Sequence, residues 1–183
     1  MKPAASGLEG IPLCPFRIYV RIIFMKNPDG KSVSDSSVET IQVVLPNDTN
    51  PLGNVLGGRV MHWIDMIAAV VAFRHSKRPV VTASMERLDF HSPIKLGQIV
   101  ILKAALNYAG RTSMEVGVEV YAENPMTGKR DHTSSARLTY VALDDRGRPT
   151  PVPSLRVVTE EEKRRFKEGE ERHLKRKRGR SGG

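Results

Sequence analysis

From Val38 to Leu45 the chain is rich in β-branched residues and reads as a strand. Pro46 to Asn54 is a run of turn formers and reads as a loop. A long apolar stretch opens at Gly57-Gly58. Between Arg59 and His75 it contains neither Pro nor Gly, which suits a helix, and Lys77, Arg78 and Pro79 end it. The stretch is apolar on nearly every side, so burial on nearly every side is expected. Beyond it the period drops to two. Val81, Ala83 and Met85 alternate with Thr82, Ser84 and Glu86, the spacing of a strand. Three more strands are marked by Ile99 to Leu106, by Met114, Val116, Val118 and Val120, and by Ala136, Leu138, Tyr140 and Ala142. Turns fall at Pro93 to Gly97, Tyr108 to Arg111 and Asn124 to Gly128, and Asp144 to Pro153 closes the pattern.

A strand, one long buried helix and four more strands predict an α+β domain. Short connections make sequential strands antiparallel neighbours. A meander of this kind curls, and the helix is the one element available to fill its concave face. The small sheet leaves edges that a second copy would cover, so a dimer is expected. Three regions follow: a flexible N-terminal extension over 1–36, the domain over 37–153, and a basic helix and tail over 154–183. Thr159 with Glu162 has the spacing of a capping box, and acidic residues precede basic ones as a helix dipole prefers. Phe166 and Leu174 are the chief apolar residues available to dock this helix, and disorder is expected from Lys175 to Gly183.

Composition adds compartment and charge. A lone cysteine, Cys14, forms no internal disulfide and fits the cytoplasm. The segment Phe16 to Met25 is too short and too interrupted by Arg17 and Arg21 for a signal peptide, and translation from Met25 is the plainer expectation. The formal charge is +9, and from Thr159 onward ten Lys or Arg stand against six Glu. Such a balance favours anionic partners. No membrane span is expected, because Leu56 to Phe73 contains Arg59, His62 and Asp65.

Asp65 is the residue that most asks for an explanation. Met61, Ile64, Ala68 and Ala69 surround it on the helix, where a carboxylate loses hydration unless it is paired. Either a functional role or an ion pair with Arg59, His62 or another subunit answers that cost. Gly57 and Gly58 leave main-chain N–H groups open at a helix start, where an oxyanion can sit, although Asp48, Asn50 and the glycines are also ordinary loop residues. His62, His75 and His91 lack a metal-ligand spacing, so no metal is expected. No Gly-x-Ser-x-Gly elbow occurs.

Pro46-Asn47-Asp48-Thr49-Asn50-Pro51-Leu52-Gly53-Asn54-Val55-Leu56-Gly57-Gly58 resembles the signature loop of the acyl-CoA hydrolase branch of the hotdog thioesterases. Met61-His62-Trp63-Ile64-Asp65, Ala68 and Arg74-His75 resemble that family's central helix. Val81-Thr82-Ala83-Ser84, Asp89-Phe90, Pro93-Ile94, Gly97 and Gly110-Arg111-Thr112-Ser113 continue the likeness, which covers about Val38 to Leu143. The resemblance implies a hotdog fold and hydrolysis of fatty acyl-CoA. It makes Asp65 the general base or nucleophile, Asn50 the residue that positions water or thioester, Thr82 a water-binding hydroxyl and Gly58 the donor facing the thioester oxygen. Asn54 and Gly57 fall beside the site. Arg111, Thr112 and Ser113 fall near a coenzyme A groove, and Arg87 and His91 are candidates for its phosphates. Asn50 and Asp65 would come from different subunits of a dimer, with dimers grouped into a hexamer. Coenzyme A is then part of the substrate, and no separate cofactor is expected. The alternatives are a non-catalytic acyl-CoA-binding regulator, a hotdog dehydratase, and nucleic-acid binding through the basic tail, the last without a recognisable motif.

Overall fold

The computed structural model describes residues 30–180. The expectations about Cys14, a start at Met25 and the arm before residue 30 lie outside them. In chain order the elements are β1 (Lys31–Ser32), β2 (Val38–Val43), α1 (Gly57–Ser76), β3 (Val80–Phe90), β4 (Ile99–Ala109), β5 (Ser113–Glu123), β6 (Arg130–Ala142), β7 (Leu155–Arg156) and α2 (Glu160–Arg180). The fold is the α+β hotdog arrangement, with a C-terminal helix added.

The large sheet has the order β2-β4-β5-β6-β3, every pair antiparallel. Alternation explains which face is the core. Val100, Leu102, Ala104 and Leu106 of β4, Met114, Val116, Val118 and Val120 of β5, and Leu138, Tyr140 and Ala142 of β6 all turn to one side. Val60, Ile64, Ile67, Ala68, Val71 and Ala72 of α1 pack on them.

Two expectations need correction here. The strands after the helix are not a simple meander, because β3 pairs with β6 at the far edge and the chain then crosses to β4. The crossing is held by main-chain bonds from Val55 N–H to Ile94 O, Leu96 N–H to Gly53 O and Gly97 N–H to Val44 O, so it lies under the Asn50 loop. Nor is α1 buried on nearly all sides. Met61, Met66 and Phe73 are exposed, as are Val81 and Met85 of the edge strand β3. A five-stranded sheet covers only one face of the helix.

The flanks belong to the domain. The segment Lys31–Asp35, expected within a flexible arm, forms β1 and a 3-10 turn, and β1 pairs in parallel with β7. Lys31 Nζ donates to the main-chain oxygens of Arg74 and His75 and so caps the end of α1. Helix α2 runs through Arg180, past the point where disorder was expected. Its capping box is formed: Glu162 N–H donates to Thr159 Oγ1, and Thr159 N–H to Glu162 Oε2. Of the two expected docking residues, Phe166 stacks on Tyr108 with ring centroids 5.1 Å apart, whereas Leu174 is exposed. Polar bonds do most of the docking. Arg172 binds Glu115, and Arg176 reaches Glu86.

Candidate active site

Asp65 sits two turns into α1 on the flank that faces the edge of the sheet, and it is half-buried. Thr82 Oγ1 of β3 donates to its Oδ1 at 2.9 Å, and Tyr140 OH of β6 to the same oxygen at 2.8 Å. Thr82 and Tyr140 are register partners across the β3–β6 ladder, which brings both hydroxyls to one carboxylate. No hydrogen bond or ion pair reaches Oδ2 among the described residues. Tyr140 is 1% exposed. Burial first, and then the bond to Asp65, hold its phenol well above the usual range, so it remains a donor.

Neither Arg59 nor His62 pairs with Asp65. Arg59 Nε instead meets Asp48 Oδ1 at 2.8 Å, and Asp48 Oδ2 accepts the N–H of Leu45. That pair pins the loop carrying Asn50. Asn50 Oδ1 accepts from Leu52 N–H at 3.0 Å and from Asn54 N–H at 3.2 Å. With its oxygen spent on the turn, the side chain presents its NH2 group as a donor. Gly57 and Gly58 open α1 with no side-chain cap, so their N–H groups are unclaimed within the helix. Apart from the adjoining residues and helix backbone, no described atom lies within 4 Å of where a Gly58 Cβ would stand, so that end of the helix is open to a ligand. Val55, Gly57, Val60, Phe90, His91 and Ile94 line a cavity of about 370 Å³ beside it.

The sequence-predicted residues therefore fall into separate groups within one chain. Asp65 and Thr82 are together. Asn50, Asn54, Gly57, Gly58 and His91 form a second group at the start of α1. Seven residues of helix rise separate Gly58 from Asp65, about 10 Å, and no hydrogen bond joins Asn50 to Asp65 among the described residues. Arg87 is bound to Asp89 and lines, with His91 and Arg137, a trough of about 670 Å³ on the sheet face that α2 covers. Arg111 and Thr112 lie in the β4–β5 turn and Ser113 opens β5; Ala142 N–H at the end of β6 donates to Thr112 O, and Val152 N–H beyond it to Arg111 O. Tyr140, the second donor to Asp65, is the residue at this carboxylate that sequence reading missed. In the alternation it looks like any core position.

The profile of the Thioesterase superfamily matches residues 52–129. A Bacillus subtilis protein named as an uncharacterized acyl-CoA thioester hydrolase is 42% identical over 138 residues, 75% of this chain and 80% of that protein. The cytosolic acyl coenzyme A thioester hydrolase of rat is 39% identical, and the match covers 85% of this chain but only 42% of that longer protein. Among solved structures, the acyl-CoA hydrolase of Staphylococcus aureus, bound to butyryl coenzyme A and coenzyme A, superposes with a TM-score of 0.76 at 39% identity over 82% of this chain and 92% of its own. Variants of that enzyme replaced at an aspartate, a threonine and an asparagine are similar as well. A hexameric acyl-CoA thioesterase in its apo form superposes with a TM-score of 0.79 at 40% identity, over 85% of this chain and all of its own.

Fold and relatives thus define a thioester hydrolase. The chain belongs to the acyl-CoA thioester hydrolases of the thioesterase superfamily.

Proposed function

We propose that this protein hydrolyses fatty acyl-CoA to a free fatty acid and coenzyme A at a site shared by two subunits, with Asp65 of one facing Asn50 of the other. The observation that carries the reading is the Asp65 carboxylate, fixed by two hydroxyls at one oxygen and open at the other. A second observation supports it. The asparagine, aspartate and threonine replaced in the Staphylococcus enzyme are spaced by the same intervals as Asn50, Asp65 and Thr82.

In this mechanism Asp65 takes a proton from water, and the hydroxide attacks the thioester carbonyl. Negative charge develops on the carbonyl oxygen, where the Gly58 N–H donates to it. The Asn50 amide orients water or carbonyl. The tetrahedral adduct then expels the thiolate, whose parent thiol has a pKa of about 8.5, so departure needs no strong acid. Nucleophilic attack by Asp65 itself uses the same open oxygen.

The separation of the two groups in one chain supports the reading of a shared site. The exposed Met61, Met66, Val81 and Met85 supply an apolar surface beside Asp65 for a second copy. Three such dimers make the hexamer we expect, by likeness to the hexameric relative. Arg111, Thr112 and Ser113, with Arg87 and His91, remain our candidates for the coenzyme A moiety. No described helix is long and apolar enough to cross a membrane. We expect a cytoplasmic enzyme, as the rat relative's name says of that protein.

The test is complementation. Asp65→Ala and Asn50→Ala proteins are each expected to lose palmitoyl-CoA hydrolysis, and mixing them after dissociation is expected to restore it, because one site of each mixed dimer is intact. Inactive mixed dimers would refute the shared site. Wild-type turnover by Asp65→Ala would refute its role.

A further inference from the structure

Tyr140 is a core position that carries a hydroxyl. Its side chain lies in the core with Met114 as its register partner on β5 and Asp65 of α1 at its hydroxyl, where a phenylalanine would fill nearly the same space. A buried phenol is tolerated when it has a hydrogen-bond partner, and this one has Asp65. Its oxygen lies 2.8 Å from the carboxylate Oδ1 and 2.9 Å from the main-chain oxygen of the same residue. The single hydroxyl proton goes to the charged acceptor, which makes the stronger bond.

We propose that Tyr140 is a positioning residue for hydrolysis: with Thr82 it occupies Oδ1 of Asp65, and so reserves Oδ2 as the oxygen that receives the proton of the attacking water. This rests on the catalytic reading of Asp65. Two donors on one oxygen withdraw its electron density and fix the plane of the carboxylate, a torsion that is otherwise broad. The donors come from two different strands, β3 and β6, so both the direction and the rotation are set by the sheet. A carboxylate with two equivalent oxygens would face water in either of two orientations. This one has a single reactive edge.

The groups around Asp65 are few. From β3 it meets Thr82, from β6 Tyr140. On α1, His62 precedes it by one turn and is exposed, while Arg59 is committed to Asp48. From β5, Met114 lies beside Tyr140 in register and carries no charge.

The experiment measures the pH dependence of kcat and kcat/KM for acyl-CoA hydrolysis from about pH 3 to about pH 9, a window that includes the ordinary carboxylate range. A His62→Gln background keeps that imidazole from setting the acid limb. Removing a donor from a carboxylate disfavours its charged form, so Tyr140→Phe is expected to move the acid limb up by about one pH unit. kcat is expected to fall and KM to hold. Placing 3-fluorotyrosine at position 140 keeps the shape of the side chain and strengthens the donor, and is expected to move the limb down. An acid limb that stays with wild type in both variants, while Asp65→Ala is inactive, would overturn the proposal alone. Wild-type turnover by Asp65→Ala would remove the catalytic reading and this proposal with it.

Discussion

Arg172 closes on Glu115 with two bonds, Nη2 to Oε1 at 2.7 Å and Nε to Oε2 at 3.0 Å, and the carboxylate it meets has no exposed surface. Asn107 Nδ2 donates to the same carboxylate, and Arg176 stands 3.7 Å away. This charge cluster joins α2 to the outer face of the sheet. Breaking such a pair strands a buried charge, at about 3–5 kcal/mol. Arg172 is partly solvated and Arg176 is near, so Arg172→Ala is expected to cost about 2–3 kcal/mol in urea melts. Replacing both partners, Glu115→Leu with Arg172→Leu, is expected to recover most of the loss. A pair of losses that merely add would show that the two side chains are not coupled.

Gly169 is where helix propensity and packing disagree. In an open helix Gly→Ala gains about 1 kcal/mol. Here an added Cβ would stand 2.7 Å from the Cβ of Tyr108, a contact that no side-chain rotation relieves. Gly169→Ala is therefore expected to destabilise, by about 1–2 kcal/mol, and to weaken α2 docking. Measurement of Tm against wild type checks the sign.

His75 is buried, and its Nε2 donates to Pro153 O at 2.8 Å, while Nδ1 has no hydrogen-bond partner among the described residues. Burial pushes its pKa down, outweighing the bond to Pro153, and the Lys31 charge adds to the drop. A depressed imidazole pKa means that the unfolded chain binds the proton more readily. Stability is then expected to be full above the unfolded value, about 6.5, and to fall as pH drops below it. Unfolding free energy measured between about pH 7.5 and about pH 5.5 is expected to decline, and to decline less in His75→Gln.

Asp48 holds the Asn50 loop through Arg59, Leu45 N–H and its own main-chain oxygen, which accepts from Leu56 N–H. Asp48→Ala is expected to leave the sheet intact but loosen Asn50. A displacement on the scale of an ångström is enough to cost about 10- to 100-fold in kcat/KM. Circular dichroism matching wild type, with unchanged turnover, would show that Asn50 keeps its place without this pin.

Much of this was legible in the chain. The alternation in β4, β5 and β6 marks their core faces, and the long, mainly apolar run free of Pro and Gly marks α1, because both elements bury one face against the other. The place of β3 was not legible. The connection from Phe90 to Ile99 suits a neighbour or a crossing equally well, and only long-range pairing decides. Docking of α2 was only partly legible: Phe166 meets Tyr108 as expected, but the helix also uses a glycine and Arg–Glu bonds, which no apolar pattern reveals. Asp65 announced itself by its surroundings, whereas Tyr140 did not, since an aromatic residue at a core position needs no explanation until its hydroxyl is seen to have a partner. The pairs β1 and β7 are too short to carry any period.

That short parallel pair has a kinetic consequence. Between Lys31 and Leu155 lies nearly the whole domain, so joining them closes the longest loop in the fold with two residues of ladder on each side. The entropy of such a closure is offset only once the sheet has already brought the ends together. The clasp should close last and open first, on its own, while the sheet stays protected from amide exchange. Because Lys31 also sits on the last carbonyls of α1, each opening of the clasp is expected to uncover the end of the central helix.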